Sequence, residues 1–249
     1  MNLLEIREEV QDIARDTEGE NTYRLWTDAE LNRYINRIYR YIARETRCIR
    51  DSTTTDVCLI PVTVVDYTTY QAGTIDYTWA NDPASWLYHQ NVAPYLFTYH
   101  PSIIEIEECK WTTWTWKLTK VSVRKWQTNP WWEQVMGMPT EFCTDLQNGK
   151  IAINFRSQAE DTLRMVVRRL PLVDLINDED IPEIKYSYHD YFINGVLWQM
   201  YSKQDAEIID KGKAAEFRSL FLLDIDEIKQ QEAILDERLN VSHSLLAFR

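Results

Sequence analysis

The stretch "TDAELNRYINRIYRYIARETR", Thr27 to Arg47, decides the fold of the first part of the chain, because it predicts a long amphipathic helix. Thr27 and Glu30 form a T-x-x-E capping box, in which each side chain accepts a hydrogen bond from the other residue's backbone N–H. We therefore expect the helix to begin directly after Thr27. Its apolar residues recur at the spacing of a helix face that packs in a core. They are Leu31, Ile35, Ile38 and Ile42.

The other side of this predicted helix carries a stripe of arginines and no lysine. Most rows of charge on helices are solvated and contribute little to stability. Arginine, however, is the side chain preferred for bidentate and interfacial ion pairs. We interpret the stripe as a subunit interface and keep a solvated face as the alternative. Its members are Arg33, Arg37, Arg40, Arg44 and Arg47.

Charge is unevenly distributed along the chain, which has 249 residues, 27 basic and 39 acidic side chains and a net charge of -12. Residues 171–238 contain 7 basic and 16 acidic side chains, a net charge of -9. The arginine stripe of one subunit is therefore complementary to the acidic C-terminal helices of another. This composition is also unlike that of a protein that binds nucleic acid through a generally basic surface.

Helical periodicity occurs at both ends of the chain and strand periodicity between them. We predict an α+β fold in which the terminal helices pack as a helical bundle, with an inserted antiparallel β domain, sandwich or barrel-like, and an extended C-terminal tail. The predicted domains are residues 1–56 with 171–235 for the helices, 57–170 for the β domain and 236–249 for the tail. The tail is unusual because it is apolar so close to the terminus.

Two features of the middle region predict local strand structure. Asn148-Gly149 before "KIAINF" indicates a hairpin with a type I′ turn, because both residues tolerate positive φ. In "TWTWKLTKVSVRKW" the apolar alternation changes parity after Leu118. A β-bulge near Thr119 and Lys120, or a strand buried on both faces, would explain that change.

No motif indicates catalysis, a metal or a cofactor. The four histidines have no ligand spacing, and "YHDYF" around His189 fits a structural role better than a metal pair. The four cysteines lack a C-x-x-C pattern, so we expect buried thiols. With only six glycines and no phosphate-binding loop, a nucleotide site is not expected. We predict that the protein is not an enzyme and has no cofactor and no metal.

The chain contains no apolar run long enough to cross a membrane, and its acidic, amphipathic N-terminal stretch is unlike a signal peptide. We therefore expect synthesis in a cytoplasm and no membrane partner. The acidic string "DLINDED", Asp174 to Asp180, lacks the glycine of a calcium loop. A solvated linker that caps the next helix explains it better than a cation site.

Tryptophan is concentrated in the middle region, which contains eight of the ten. One small β core would not bury them all, so we expect some to be exposed. Exposed aromatic side chains are common to protein interfaces and sugar-binding surfaces. A protein interface, a fully buried set and a carbohydrate-binding β module of a virion or surface protein therefore remain open, in that order of preference.

Three stretches of the sequence, and the order in which they follow one another along the chain, resemble the head-to-tail adaptor, or connector, proteins of tailed bacteriophages. Their shared features are a W-T-D-x-E-L helix start, a G-x-P hairpin, an I-P helix start and a K-x-D-A-E helical hinge. The resemblance covers most of the chain outside residues 57–110. The stretches are "WTDAELNRYINRIYRYIARET", "GMPTEFCTDLQNGKIAINF" and "LRMVVRRLPLVDLINDEDIPEIKYSYHDYFINGVLWQMYSKQDAEIIDKGKAAEF".

The resemblance implies a structural virion protein in the neck, made in the host cytoplasm. Subunits of this family form a ring, typically of twelve, below the portal, and double-stranded DNA passes through it. By resemblance the partners are further copies of the chain, the portal protein and a tail tube or nozzle protein. The expected portal-binding residues are Leu239, Val241, Leu245, Leu246 and Phe248. The expected residues for the tail component are Trp79, Trp86, Trp131 and Trp132.

Overall fold

The computed structural model describes residues 1–14, 25–62, 96–113, 116–128, 137–154, 161–203 and 210–246, with side chains up to residue 237. The chain divides into two compact units. One consists of Met1–Ile49 with Arg169–Arg249 and the other of Arg50–Arg168. The mixed α+β class predicted from the sequence is confirmed.

The first unit is helical. Its buried residues form one continuous core to which all its long helices contribute. A 3-10 turn at Tyr186–Tyr188 precedes the third of these helices. The long helices are α1, Leu3–Ala14; α2, Asp28–Thr46; α5, Tyr191–Tyr201; and α6, Lys211–Leu246.

Helix α2 begins and ends as its sequence predicts. Thr27 is the N-cap, and the backbone N–H of Glu30 donates to Thr27 Oγ1 at 3.3 Å while that of Thr27 donates to Glu30 Oε2 at 3.2 Å. At the other end Arg47 is left-handed, with φ 54°, and its N–H donates to the carbonyl of Ala43 at 3.0 Å. The predicted apolar face of α2 is buried.

Helix α6 corrects the prediction for the C-terminus. Its backbone is helical to Leu246, so an extended tail from Asp236 is wrong for residues 236–246. Over its first part α6 buries Phe221, Ile225 and Ile228, the residues that face the core. Leu220 is 40% exposed because it lies a quarter turn or more from that buried row.

The second unit is a curled half-barrel sheet with two short helices, α3 (Thr55–Cys58) and α4 (Val123–Trp126). Its strands are β1, Arg50–Asp51; β2, Leu59–Val62; β3, Leu96–Thr98; β4, Ile103–Trp111; β5, Lys117–Lys120; β6, Glu141–Cys143; β7, Lys150–Ile153; and β8, Asp161–Arg169. The strand order is β1-β8-β4-β5-β6-β7-β3, and β2 also pairs with β8. The prediction of an antiparallel sheet is wrong for one pair, because β5 and β6 are parallel.

The hairpin predicted at Asn148-Gly149 is present, since β6 and β7 pair antiparallel. Its turn is not type I′. Gly149 has a φ of 74°, but Asn148 is not at positive φ, and type I′ requires both. The paired residues Cys143 and Ala152 enclose a loop longer than two residues, which removes the geometric demand for a type I′ turn.

The change of parity after Leu118 has a different cause from the two predicted. Strand β5 pairs with β4 through Leu118 and Lys117, and then with β6 through Thr119 and Lys120. It ends at Lys120, and Val123 begins the short helix α4. Val121 lies between the strand and the helix and Val123 in the helix, so strand alternation ends at Lys120 and neither a bulge nor a doubly buried strand is needed.

No helix in the described residues combines the length and the apolar content that a bilayer-spanning segment needs.

Gly195 lies where α5 passes closest to its neighbours. A Cβ there would lie 2.8 Å from Ile38 Cγ2 on α2 and 2.9 Å from Phe221 Cε2 on α6. We predict that Gly195→Val destabilises the protein by about 1–3 kcal/mol, because extra volume in a packed core forces side chains out of their rotamers. Urea unfolding measures this.

Gly212→Val is the matched control, since Gly212 is exposed in the first turn of α6 and its nearest neighbour is the flexible Asp210 side chain. Equal stability of the two variants would contradict the packing described for α5.

Candidate assembly surface

Four of the five arginines predicted from the sequence, Arg33, Arg37, Arg40 and Arg44, lie along one side of α2, and Arg47 follows as its left-handed C-cap. All five are exposed. Their spacing of three and four residues keeps them on one side over the whole helix. The buried apolar residues occupy the opposite side. The structure therefore brings Arg33, Arg37, Arg40 and Arg44 together as one continuous basic stripe, and Arg47 lies just beyond the end of the helix.

Some of these arginines have partners within the chain. Arg40 makes a bidentate ion pair with Asp174, with Nε 3.1 Å from Oδ1. Arg33 lies 4.0 Å from Glu30, whose carboxylate is closer to Lys203, at 3.0 Å. Within the ranges the structure describes, Arg37 and Arg44 have no ion-pair partner. These two cations are available to a second molecule.

Asp174 belongs to a segment that the sequence suggested was a solvated linker. We call residues 170–185 the acidic loop. It does not cap the helix that follows it but the first helix of the chain, because the carbonyls of Asp180 and Asp178 accept the N–H groups of Leu3 and Leu4 at 2.9 and 3.1 Å. Buried Arg7 adds an ion pair to Asp178 at 2.9 Å. These bonds satisfy donors at the N-terminus of α1 that no helix can satisfy itself.

The acidic loop is also attached to α2. The Asn36 side chain donates to the carbonyl of Leu175 at 2.8 Å and accepts the Leu175 N–H at 2.8 Å. Tyr39 Oη accepts the backbone N–H of Glu183 at 2.6 Å, and burial raises the pKa of that tyrosine. Side chains of α2 therefore hold the loop at both ends.

A turn inside the acidic loop depends on one carboxylate. Asp180 Oδ2 accepts the N–H groups of Ile176 and Asn177 at 2.7 and 2.8 Å. These hydrogen bonds lower the pKa of Asp180, because they stabilise the charged form. The string of acids therefore supports backbone geometry, and among the described residues no cluster of His, Cys, Asp and Glu has metal-binding geometry.

The remaining candidates for chemistry are structural. His189 is buried, with Nε2 3.2 Å from the carbonyl of Ile184, and its pKa is lowered by burial. All four cysteines are free and buried, as predicted. Burial raises the pKa of Cys109 to about 12 and that of Cys143 to about 12, so these thiols do not ionise near neutral pH.

The other predicted binding residues are only partly placed. Trp79, Trp86, Trp131 and Trp132 lie outside the described residues. Leu239, Val241, Leu245 and Leu246 are on the helical backbone of α6, without described side chains, and Phe248 lies beyond the described part. Of the described tryptophans of the second unit, Trp111 and Trp126 are buried and Trp116 is 43% exposed.

Comparison with protein families identifies the family of the chain. Residues 1–242 match the SU10 adaptor protein family. The chain belongs to the SU10 adaptor protein family. The resemblance to phage head-to-tail adaptors drawn from the sequence motifs is thereby confirmed at the level of the family. A search of curated proteins found no match.

Membership of the SU10 adaptor family changes how the surface is understood. An adaptor family is structural and makes contacts with other phage proteins of the head and tail, as a component of the virion. The exposed stripe and the rigid acidic loop are therefore candidates for assembly contacts. The sequence signal for the stripe was its spacing; the attachment of the loop to α1 and α2 had no such signal.

The Asp180 turn predicts a pH dependence. Because the folded pKa of Asp180 is lowered, its contribution to the loop is complete above the ordinary pKa of an aspartate and is lost as the pH falls through the lowered value. We predict that hydrogen exchange at the amides of Ile176 and Asn177 accelerates over that acidic range relative to the rest of the first unit.

Asp180→Asn removes the charge, so the same amides should exchange faster at neutral pH and lose their dependence on acid. Asp190→Asn serves as the control, since the Asp190 side chain caps no backbone donor. Unchanged exchange at both amides in Asp180→Asn would contradict this role of the carboxylate.

Proposed function

We propose that the protein forms a ring between the portal and the tail of a phage particle, through which double-stranded DNA passes during packaging or ejection. The observation that carries the proposal is the exposed arginine stripe with Arg37 and Arg44 unpaired in the described chain, on a protein whose family consists of adaptors. A closed ring needs two different surfaces on each subunit, each of which contacts the other on a neighbour. A basic stripe and acidic helices are such a pair.

The net charge of -12 suits passage of DNA. A strongly basic channel would hold DNA through many ion pairs with phosphates, whereas an acidic protein offers few such sites. In this proposal the ring is a dodecamer in the neck of the virion, its C-terminal residues bind the portal, and its second unit contacts a tail tube or nozzle protein. Trp79, Trp86, Trp131 and Trp132 are the proposed contacts with that tail component.

The carbohydrate-binding alternative has little support from the described tryptophans. Sugar-binding surfaces present exposed aromatic rings, and only Trp116 is substantially exposed among those described in the second unit. We therefore propose the adaptor function alone.

Ring formation and the role of the stripe are tested in one experiment. The purified wild-type protein, mixed with the portal protein of the same virus, should give portal-bound rings in negative-stain electron microscopy. We predict that Arg37→Glu/Arg44→Glu weakens assembly about tenfold or more, because the new carboxylates face acidic residues of the neighbour.

The matched control is Lys110→Glu/Arg124→Glu, which reverses two exposed cations of the second unit. Circular dichroism should show that both double variants remain folded. Rings that form equally well with both variants would contradict the role of the stripe, and absence of wild-type rings on the portal would contradict the adaptor function.

The C-terminal residues are tested by truncation after Asp236. The described buried residues of α6, from Phe221 to Glu232, all precede this point, so we predict a folded protein that no longer binds the portal. The apolar residues removed are those proposed to dock, and their binding is strengthened by repetition around a ring. Co-sedimentation with portal rings measures binding, and full-strength binding by the truncated protein would exclude this role.

A further inference from the structure

The acidic loop and the first residue of the 3-10 turn that follows it carry four large apolar side chains that point to solvent. Between 65% and 74% of each side chain is exposed, whereas residues of the hydrophobic core are almost completely buried. The neighbouring Leu175 is buried, so the loop is fixed to the core while these side chains are not. We call this set the apolar platform: Val173, Ile176, Ile181 and Tyr186.

The platform is already rigid before it meets a partner. Asn36 fixes Leu175, Asp180 fixes the turn at Ile176, and Tyr39 fixes Glu183. A partner that covers these side chains therefore loses little free energy to ordering of the loop backbone. Exposed apolar residues on a fixed scaffold are typical of protein interfaces.

A second exposed apolar row lies on α6. Leu220, Leu223 and Ile234 are 40%, 66% and 50% exposed. Together with Glu216 and Glu227 they fall at i, i+4, i+7, i+11 and i+18, which is one side of a helix. We call these five residues the α6 strip. Within the described residues neither of its glutamates makes an ion pair.

The charges beside the two surfaces are complementary. The Arg40–Asp174 ion pair joins the acidic loop to α2. Arg37 and Arg44 lie on the same side of α2 as Arg40, beside the platform. The α6 strip instead carries Glu216 and Glu227, about 16 Å apart along the axis. Asp174, Asp178 and Glu183 of the acidic loop are each paired with an arginine of the same subunit. The arginine stripe beside the platform is therefore opposite in charge to the α6 strip.

We propose that the apolar platform and arginine stripe of one subunit bind the α6 strip of the next copy of the chain, as a head-to-tail contact. The proposal rests on the ring of the proposed function and names the surfaces that form it. A two-fold contact centred on the stripe would bring Arg37 and Arg44 of one subunit towards the same arginines of the other, which is electrostatically unfavourable. A head-to-tail contact leaves one subunit of the pair with a free platform and stripe and the other with a free α6 strip, so further copies can add until the ring closes.

Cysteine cross-linking tests the contact directly, because the four native cysteines are buried and do not compete. Ile176→Cys protein is mixed with Leu223→Cys protein and oxidised mildly. We expect roughly tenfold more mixed disulfide dimer than with Ile13→Cys in place of Ile176→Cys, since docking raises the effective thiol concentration. Ile13 is a matched control because it is 47% exposed on α1 and belongs to neither surface.

Equal amounts of disulfide dimer from Ile176→Cys protein alone would show a two-fold contact and overturn the proposal. Mixed dimer no more abundant than in the Ile13 control would also overturn it. A wild-type protein that fails to bind the portal while the mixed disulfide forms would instead contradict the adaptor function and leave this contact intact.

Variants that block one surface at a time give an independent readout. Ile176→Asp/Ile181→Asp removes the platform and Leu223→Asp/Ile234→Asp removes the strip, and native mass spectrometry should find no ring with either. A mixture of the two retains one functional contact per pair of chains, so it should form a 1:1 dimer and nothing larger. Rings from either variant alone, or no dimer from the mixture, would overturn the head-to-tail contact.

Discussion

The attachment of the acidic loop to α1 and α2 is the interaction on which the helical unit depends. Residues distant in the chain meet there: Asp178 and Asp180 cap the first helix, while Asn36 and Tyr39 hold Leu175 and Glu183. The loop thereby joins the segment that returns from the β unit to the helices that precede it. These bonds satisfy backbone groups that would otherwise be unpaired near the core, and they stabilise this conformation of the loop.

This arrangement divides the charged residues of the unit into two groups. Buried Arg7 and Arg169 pair within the chain, with Asp178 and Glu183, and stabilise the loop. Arg37 and Arg44 point to solvent from the outer side of α2, and the described chain offers them no carboxylate. An exposed charge contributes little to the stability of its own subunit, but it can determine register and partner choice between subunits. The stripe is suited to assembly for that reason.

The sheet unit shows how neighbouring strands decide a local pattern. Strand β5 pairs with β4 on one side and with β6 on the other, in opposite orientations, and it ends where α4 begins. Alternation in its sequence predicted a strand correctly but could not reveal a parallel partner, because strand periodicity depends on which face is buried and not on the direction of the neighbour. The Asn148-Gly149 turn is similar: its position was predictable, and its type followed from the length of the loop around it.

The sequence alone determined the features that depend on neighbours three or four residues away: the capping box at Thr27, the buried face of α2 and its row of exposed arginines. The order of its motifs along the chain also indicated the protein family. Burial of the four thiols also followed from composition and spacing. Only the tertiary structure decided that the acidic loop caps α1, that Arg40 is paired with Asp174, and that Ile176 and Ile181 are exposed. Those contacts join residues more than a hundred positions apart, and local periodicity carries no information about which distant segments meet.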